Sequence, residues 1–237
     1  MTLLSARGLS RNFGGLKAVD NVDFDLPAGE VRALIGPNGA GKTTFVGMLS
    51  GRIPASAGTV TFDGRDITSL PAHRRIRAGM AYTFQITSVF SRLPVAENVA
   101  LALRWRTGDD VAATDRQVAE ALDRVGIADR ADQLAGDLSY GHQRLLEIAM
   151  GLSQNPRLLI LDEPTQGLAD SEIADFVALM RGLAGDMTVL LIEHNINVVM
   201  QTADAITVLN FGAVLANGTP SEIRNNAAVQ AAYLGTG

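Results

Sequence analysis

No cysteine occurs among the 237 residues, which removes disulfide frames, thiol chemistry and cysteine zinc sites from consideration. Lysine is almost as scarce: Lys17 and Lys42 are the only two among 20 basic residues, the rest being arginine. No Lys/Arg-rich run is present and the net charge is −5, which argues against a nucleic-acid partner. Nor does any uninterrupted apolar stretch approach the roughly 20 residues that cross a bilayer. The apolar runs are strand-sized, such as Leu158 to Leu161 and Val189 to Ile192, and Met1 to Ser10 lacks the apolar centre of a signal peptide. A soluble, intracellular protein is expected. With 47% hydrophobic residues, the chain can bury one sizeable core with room for an inserted subdomain. There is no internal repeat, low-complexity tract or obvious interdomain linker.

One of the two lysines stands where its shape is needed. Gly36-Pro37-Asn38-Gly39-Ala40-Gly41-Lys42-Thr43 is a complete G-x-x-x-x-G-K-[ST] phosphate loop. A compact ammonium fits between the β- and γ-phosphates of a nucleotide, where a planar guanidinium would not. Glu30 to Ile35 reads as a short buried strand, and Thr43 to Ser50 as a helix ending at Gly51 in a C′ position. The motif therefore has the strand, loop, helix context it requires. Gly39 and Gly41 let backbone N–H groups converge on phosphate oxygens at a helix N-terminus, and Thr43 would place a hydroxyl on Mg²⁺. Asn38, Gly39, Ala40, Gly41, Lys42, Thr43 and Thr44 are the candidate nucleotide contacts.

Around this loop the chain falls into three zones. Up to about residue 65 it predicts strands: Leu3 to Leu9, then Ala18 to Leu26 with Val22, Phe24 and Leu26 alternating against Asp23 and Asp25, then Gly58 to Asp63. From about 86 to 150 the pattern is helical, with Val118, Leu122 and Val125 on one face, Thr114 and Gln117 spaced as a capping box, and Gly126 at the end. From about 155 onward strands and helices alternate, which predicts a parallel sheet. Thr219-Pro220-Ser221-Glu222 marks a further helix start, with Pro at N1 and Glu at N3.

Leu158-Leu159-Ile160-Leu161-Asp162-Glu163 is the second chemical site. Four consecutive aliphatics suit a strand buried on both faces, and carboxylates at its end sit where open α/β sheets bind ligands. Asp162 is suited to Mg²⁺, and Glu163 to polarising a water for in-line attack on a γ-phosphate. The rival reading, a solvated loop opening ahead of Pro164, loses ground beside a phosphate loop.

Phosphate loop, Gln85, Leu138-Ser139-Tyr140-Gly141-His142, Leu158 to Glu163, and His194 come in the order found in ATP-binding-cassette ATPases, which the whole chain resembles. The resemblance implies an α/β fold: a P-loop NTPase (RecA-like) core with an N-terminal antiparallel β subdomain and an inserted α-helical signature subdomain. All 237 residues would form one ATPase domain, with about 1–85 and 151–237 as the nucleotide-binding core and about 86–150 as the helical part. It also implies ATP and Mg²⁺ as ligands. Gln85 resembles the Q-loop glutamine that links Mg²⁺ and the attacking water to the helical insertion, so the metal set would be Thr43, Gln85 and Asp162. Glu163, His194, Gln85 and Lys42 would form the catalytic set, with His194 similar to the switch histidine. Ser139, Tyr140, Gly141 and His142 look like the signature motif, which in the family meets the ATP held by an opposing subunit. Phe13 resembles the aromatic on which adenine stacks, and Asp170 a subunit contact. Taken alone, Ser139 reads as a helix N-cap, His194 as a packed or surface histidine and Phe13 as core. Tyr140 and His142 depart from the usual Leu-Ser-Gly-Gly-Gln.

Within that family, Phe13 to Ala18, Leu138 to Ile148, Ile192 to Asn195 and the tail from Gly218 to Gly235 are similar to ATPase subunits of bacterial branched-chain amino acid importers. The segment between Gln85 and Thr114 is shorter than in those subunits, and urea and short-chain amide importers use related ATPases. The implied partners are a second ATPase subunit (the same or different), transmembrane permeases reached through Gln85 and the apolar Ile86, Val89, Phe90 and Leu93, which read equally as core of the helical insert, and a periplasmic or extracellular solute-binding protein. The implied place is the cytoplasmic face of the inner or plasma membrane. A GTPase would need Asn-Lys-x-Asp, and neither lysine follows an asparagine. Non-transport cassettes usually pair two cassettes in one chain or carry a long coiled coil. A silent regulatory subunit would not need Lys42, Asp162, Glu163 and His194 together.

Overall fold

The computed structural model describes residues 1–83, 88–108 and 110–234. In chain order the elements are β1 (Thr2–Phe13), β2 (Leu16–Pro27), β3 (Val31–Ile35), α1 (Lys42–Leu49), β4 (Ala57–Phe62), β5 (Arg65–Asp66), α2 (Ala72–Arg77) and β6 (Met80–Thr83). There follow α3 (Val95–Thr107), α4 (Val111–Arg124), α5 (Tyr140–Ser153), β7 (Leu158–Asp162), α6 (Asp170–Leu183), β8 (Thr188–Ile192), α7 (Ile196–Thr202), β9 (Ala205–Asn210), β10 (Ala213–Gly218), α8 (Pro220–Arg224) and α9 (Ala227–Leu234).

Two sheets result. β2-β1-β4-β5 is antiparallel, and its β2 strand keeps the alternation expected from sequence: Val22, Phe24 and Leu26 are buried while Asp23 and Asp25 face solvent. The second sheet has the order β10-β9-β3-β8-β7-β6. Its strands run parallel apart from β10, which returns antiparallel beside β9 through a tight hairpin. The expected parallel sheet is formed, with one antiparallel edge, because Phe211-Gly212 is too short a link for a crossover.

The central strands are buried on both faces. Leu158 to Leu161 are completely inaccessible, each side chain contributing roughly 1.5–3 kcal/mol of burial before entropy is charged. Leu159 and Leu161 pack with α3, α4, α5 and α6 on one side, while Leu158 and Ile160 pack with α1 and the antiparallel sheet on the other. Period-two alternation along β7 thus welds three layers together. The helical segment shares its core with the sheet.

Helix ends follow the local chemistry. Gly51 and Gly126 take positive φ directly after α1 and α4, as their C′ positions require. Thr219 caps α8 with Glu222 returning to its backbone N–H, 2.7 Å. The expected capping box at Thr114 and Gln117 is not formed. The α4 helix begins a turn earlier, capped by Asp110, whose Oδ1 accepts from Ala113 N at 2.9 Å; Thr114 instead donates its hydroxyl to the Asp110 carbonyl. The carbonyl end of α1 is closed by buried Arg75, which donates to Met48 O and Leu49 O at 2.8 Å and to Leu70 O and Thr68 O. Its burial lowers the guanidinium pKa to about 10.

Candidate functional site

Strand β3 delivers the chain to the loop at Gly36, and α1 starts at Lys42 with its first backbone amides turned toward the loop. Gly41 sits at φ +96°, and a Cβ there would lie 2.4 Å from the Ala18 carbonyl, so no other residue fits without moving β2. The tip of the β9–β10 hairpin buttresses the same loop: Gly212 N donates to Ala40 O at 3.0 Å, and Asp20 N donates to Gly212 O at 2.9 Å. Asn38, Gly39, Ala40, Gly41, Lys42, Thr43 and Thr44 then line one cleft of about 490 Å³ with Phe13, Leu16, Lys17, Glu163 and Phe211.

Lys42 is buried, its Nζ donating to Gly36 O at 2.7 Å and Pro37 O at 3.0 Å. Burial lowers its pKa, opposed by the charges of Glu163 and then Asp162. Glu163 shares the cleft lining with Lys42. Phe13 is 45% exposed on the cleft, with the Arg11 guanidinium 4.6 Å from its ring centroid.

At the end of β7, Asp162 is buried and accepts a hydrogen bond on Oδ2 from the Tyr82 hydroxyl. Burial, and then this neighbour, hold the Tyr82 phenol far above its ordinary pKa, so it remains a donor. Glu163 follows at φ +49°, a left-handed conformation uncommon for a residue with a long side chain. His194 Nδ1 lies 3.9 Å from Glu163 Oε2 and 3.9 Å from Glu193 Oε2, joining the ends of β7 and β8.

Glu193 was not foreseen from sequence. It is completely buried, and Oε1 accepts from Thr165 N at 3.1 Å and from the Thr165 hydroxyl, while Oε2 accepts from His194 N at 2.8 Å and Asn195 N at 2.9 Å. One carboxylate thus ties the loop behind Glu163 to the loop that carries His194. The available signal was its place directly after an aliphatic strand, the same pattern that singled out Asp162. Phe211 and Lys17 were likewise missed as cleft residues; a Phe-Gly pair at a hairpin tip was the only cue.

Residues Ser139 to His142 do not reach this cleft. Ser139 caps α5, accepting from His142 N at 3.2 Å, and its Oγ lies 2.8 Å from His142 Nδ1 and 3.3 Å from Glu172 Oε1. A Cβ on Gly141 would come within 2.2 Å of Glu172 Oε1, so α6 packs against the bare backbone there. Tyr140 is half-exposed, and its hydroxyl accepts from Arg144 Nη2 at 2.9 Å. Arg144 in turn pairs with buried Glu147 at 3.0 Å. Leu146, Ile148 and Ala149 form the buried face of α5. Asp170 opens α6 and is exposed. Of the apolar stretch assigned to permease contact, Val89 packs on the core and Phe90 is 55% exposed. Gln85 and Ile86 lie outside the described residues.

For a divalent cation, the donors on hand are the Asp162 carboxylate at the end of β7 and the Thr43 hydroxyl on the cleft. No group of three or more His, Cys, Asp or Glu side chains suited to a metal occurs among the described residues. That sparse oxygen set fits Mg²⁺, which keeps waters and takes further ligands from nucleotide phosphates.

This geometry is matched by known proteins. The ABC transporter family model covers residues 19–166, and the chain belongs to that family, as an ATP-binding ATPase cassette. A second model, the branched-chain amino acid ATP-binding cassette transporter, matches residues 213–237. The chain is 42% identical to the high-affinity branched-chain amino acid transport ATP-binding protein LivG of Salmonella typhimurium, covering 98% of each. It is 39% identical to BraF of Pseudomonas aeruginosa, named for the same transport, again over 98% of each. An ATP-binding cassette of an ABC transporter solved in its ADP conformation superimposes with a TM-score of 0.88 at 27% identity, over 99% of both chains. No helix among the described residues is long and apolar enough to cross a membrane.

Proposed function

We propose that this chain hydrolyses ATP with Mg²⁺ to drive an importer of branched-chain or other hydrophobic amino acids. The observation that carries the ATPase chemistry is that Lys42 and Glu163 line one cleft, with Asp162 directly before Glu163 at the end of β7 and His194 Nδ1 3.9 Å from Glu163 Oε2. The likeness to LivG and BraF, and the tail match from 213 to 237, support the solute class.

Lys42 would leave its loop carbonyls for the β- and γ-phosphates, with Phe13 stacking on adenine. Thr43, Asp162 and Gln85 would hold Mg²⁺, which when bound would neutralise charge on the transferring phosphoryl group. Glu163 would take the proton of the attacking water, and His194, 3.9 Å from Glu163, would hydrogen-bond the γ-phosphate. Ser139 to His142 lie away from the Lys42 cleft of their own chain. A complete site therefore combines Lys42 of one subunit with Ser139 of a second, the same or a related ATPase, with Asp170 at the contact. The segment of about 86–150 acts as the helical unit that meets permease subunits at the cytoplasmic face of the membrane, Phe90 being its exposed apolar contact. A periplasmic or extracellular binding protein would deliver the solute.

The test is uptake by the full transporter in vesicles. ATP-dependent accumulation of leucine, isoleucine or valine is expected. Accumulation of urea or acetamide alone would replace the solute assignment, and ATP hydrolysis with no uptake of either class would remove the importer reading.

A further inference from the structure

The Asp162 carboxylate does not stand alone at the end of β7. Tyr82 lies on β6, the edge strand beside β7, in register with Ile160. Because side chains alternate along a strand, Ile160 and Asp162 share a face, and Tyr82 opposite Ile160 reaches along that face to Asp162. Its hydroxyl donates to Asp162 Oδ2. Behind it, the Arg52 guanidinium lies 3.8 Å from the Tyr82 ring centroid and donates through Nη2 to the Tyr82 oxygen. Arg52 enters this position from the turn after α1, the helix that carries Lys42 and Thr43.

The direction of this chain of bonds is fixed by donor inventory. A guanidinium can only donate, so the Tyr82 oxygen receives from Arg52, and its single hydrogen must go to Asp162. Stacking on the ring holds Arg52 while it does so. One carboxylate oxygen is thereby committed, and the plane of the carboxylate is set.

We propose that Tyr82, oriented by Arg52, is the positioning residue that fixes Asp162 for the metal of the nucleotide complex: Oδ2 is held by Tyr82, which leaves Oδ1 as the oxygen Asp162 would offer a cation. This rests on the assignment of Asp162 to Mg²⁺. Partners that orient a metal-binding carboxylate influence affinity for the metal more than affinity for the rest of the ligand. Tyr82 therefore acts on Mg²⁺ binding rather than on adenine or phosphate-loop contacts.

The experiment measures binding of a fluorescent, non-hydrolysable ATP analogue to the full chain, without metal and across a Mg²⁺ titration. Mn²⁺ electron paramagnetic resonance of the same complexes reports the ligand field. Tyr82→Phe is expected to leave metal-free affinity within about twofold and to weaken Mg²⁺ by about 10–100-fold, with a broadened Mn²⁺ spectrum. Arg52→Met, which keeps the aliphatic stem but removes the donor, is expected to give a smaller loss in the same direction. An equal loss with and without Mg²⁺ would mark a packing role and overturn the proposal. So would an unchanged Mg²⁺ titration for Tyr82→Phe while Asp162→Asn weakens it. If Asp162→Asn also leaves the titration unchanged, the metal assignment itself falls, and the proposal with it.

Discussion

Replacing Glu193 by glutamine and by alanine separates two roles of one buried carboxylate. In the native chain its two oxygens satisfy three backbone N–H groups and one hydroxyl across two loops. Glutamine keeps one acceptor oxygen. Aimed at His194 N and Asn195 N, it preserves both of those bonds, and its amide nitrogen can donate to the Thr165 hydroxyl. Only Thr165 N–H loses its partner, at a cost of about 1–3 kcal/mol for one buried unsatisfied donor. Alanine removes every acceptor and leaves a void at a site with no exposure, so the loss rises to about 3–5 kcal/mol. For a chain of this size each kcal/mol lowers Tm by about 2–4 °C. Urea and thermal unfolding of both variants give the measurement, and the order wild type, glutamine, alanine is expected. ATP turnover of the glutamine variant should fall more than its ATP affinity, because the loops it ties carry Glu163 and His194 while Lys42 is held by α1 and its own loop. An alanine variant within about 1 kcal/mol of wild type would show that water or side-chain movement satisfies these donors, and the account of the clamp would be wrong.

Glu163→Gln should bind ATP normally yet lose about 10²–10⁴-fold in turnover, the usual worth of a positioned general base. The same variant should form a dimer, with itself or a partner ATPase, only in the presence of ATP; sedimentation with no ATP-dependent shift in any combination would dismiss the shared-site arrangement. For Lys42→Ala the expected defect is in binding itself, and an unaltered nucleotide titration would count against the phosphate-loop role. Arg75→Ala removes the buried donor of the Leu49, Leu70 and Thr68 carbonyls, Met48 O keeping Gly51 N, and should cost about 3–5 kcal/mol in urea unfolding, whereas a neutral result would mean the α1 terminus is satisfied some other way.

Much of this was legible in the chain. The phosphate loop, the aliphatic run into Asp162-Glu163, and the Thr219 and Gly126 helix ends are local patterns, and each fixes its own backbone. Ser139 was readable as an N-cap for the same reason, and it is one. What sequence could not give were contacts between segments far apart. Tyr82 to Asp162, Arg52 to Tyr82 and Glu193 to Thr165 span 80, 30 and 28 positions respectively, and only the sheet order brings them together. The start of α4 was misplaced because Thr114 and Gln117 fit a cap pattern locally, while Asp110 one turn earlier does the capping. The apolar stretch was open to two readings, permease contact and insert core, and Val89 and Phe90 divide between core and surface in a way that hydrophobicity alone does not encode.

Both lysines of the chain, Lys17 and Lys42, line the nucleotide cleft. Apart from the N-terminal amine, every primary amine in the protein therefore sits where ATP would lie. Lys17 is exposed and paired with Asp20 at 3.1 Å, and Lys42 is buried against its own loop. An acylating reagent meets them as a fast and a slow target in one place, so the labelling pattern by mass spectrometry becomes a direct report of cleft occupancy. With no thiol anywhere to compete, the wild-type chain is its own footprinting probe.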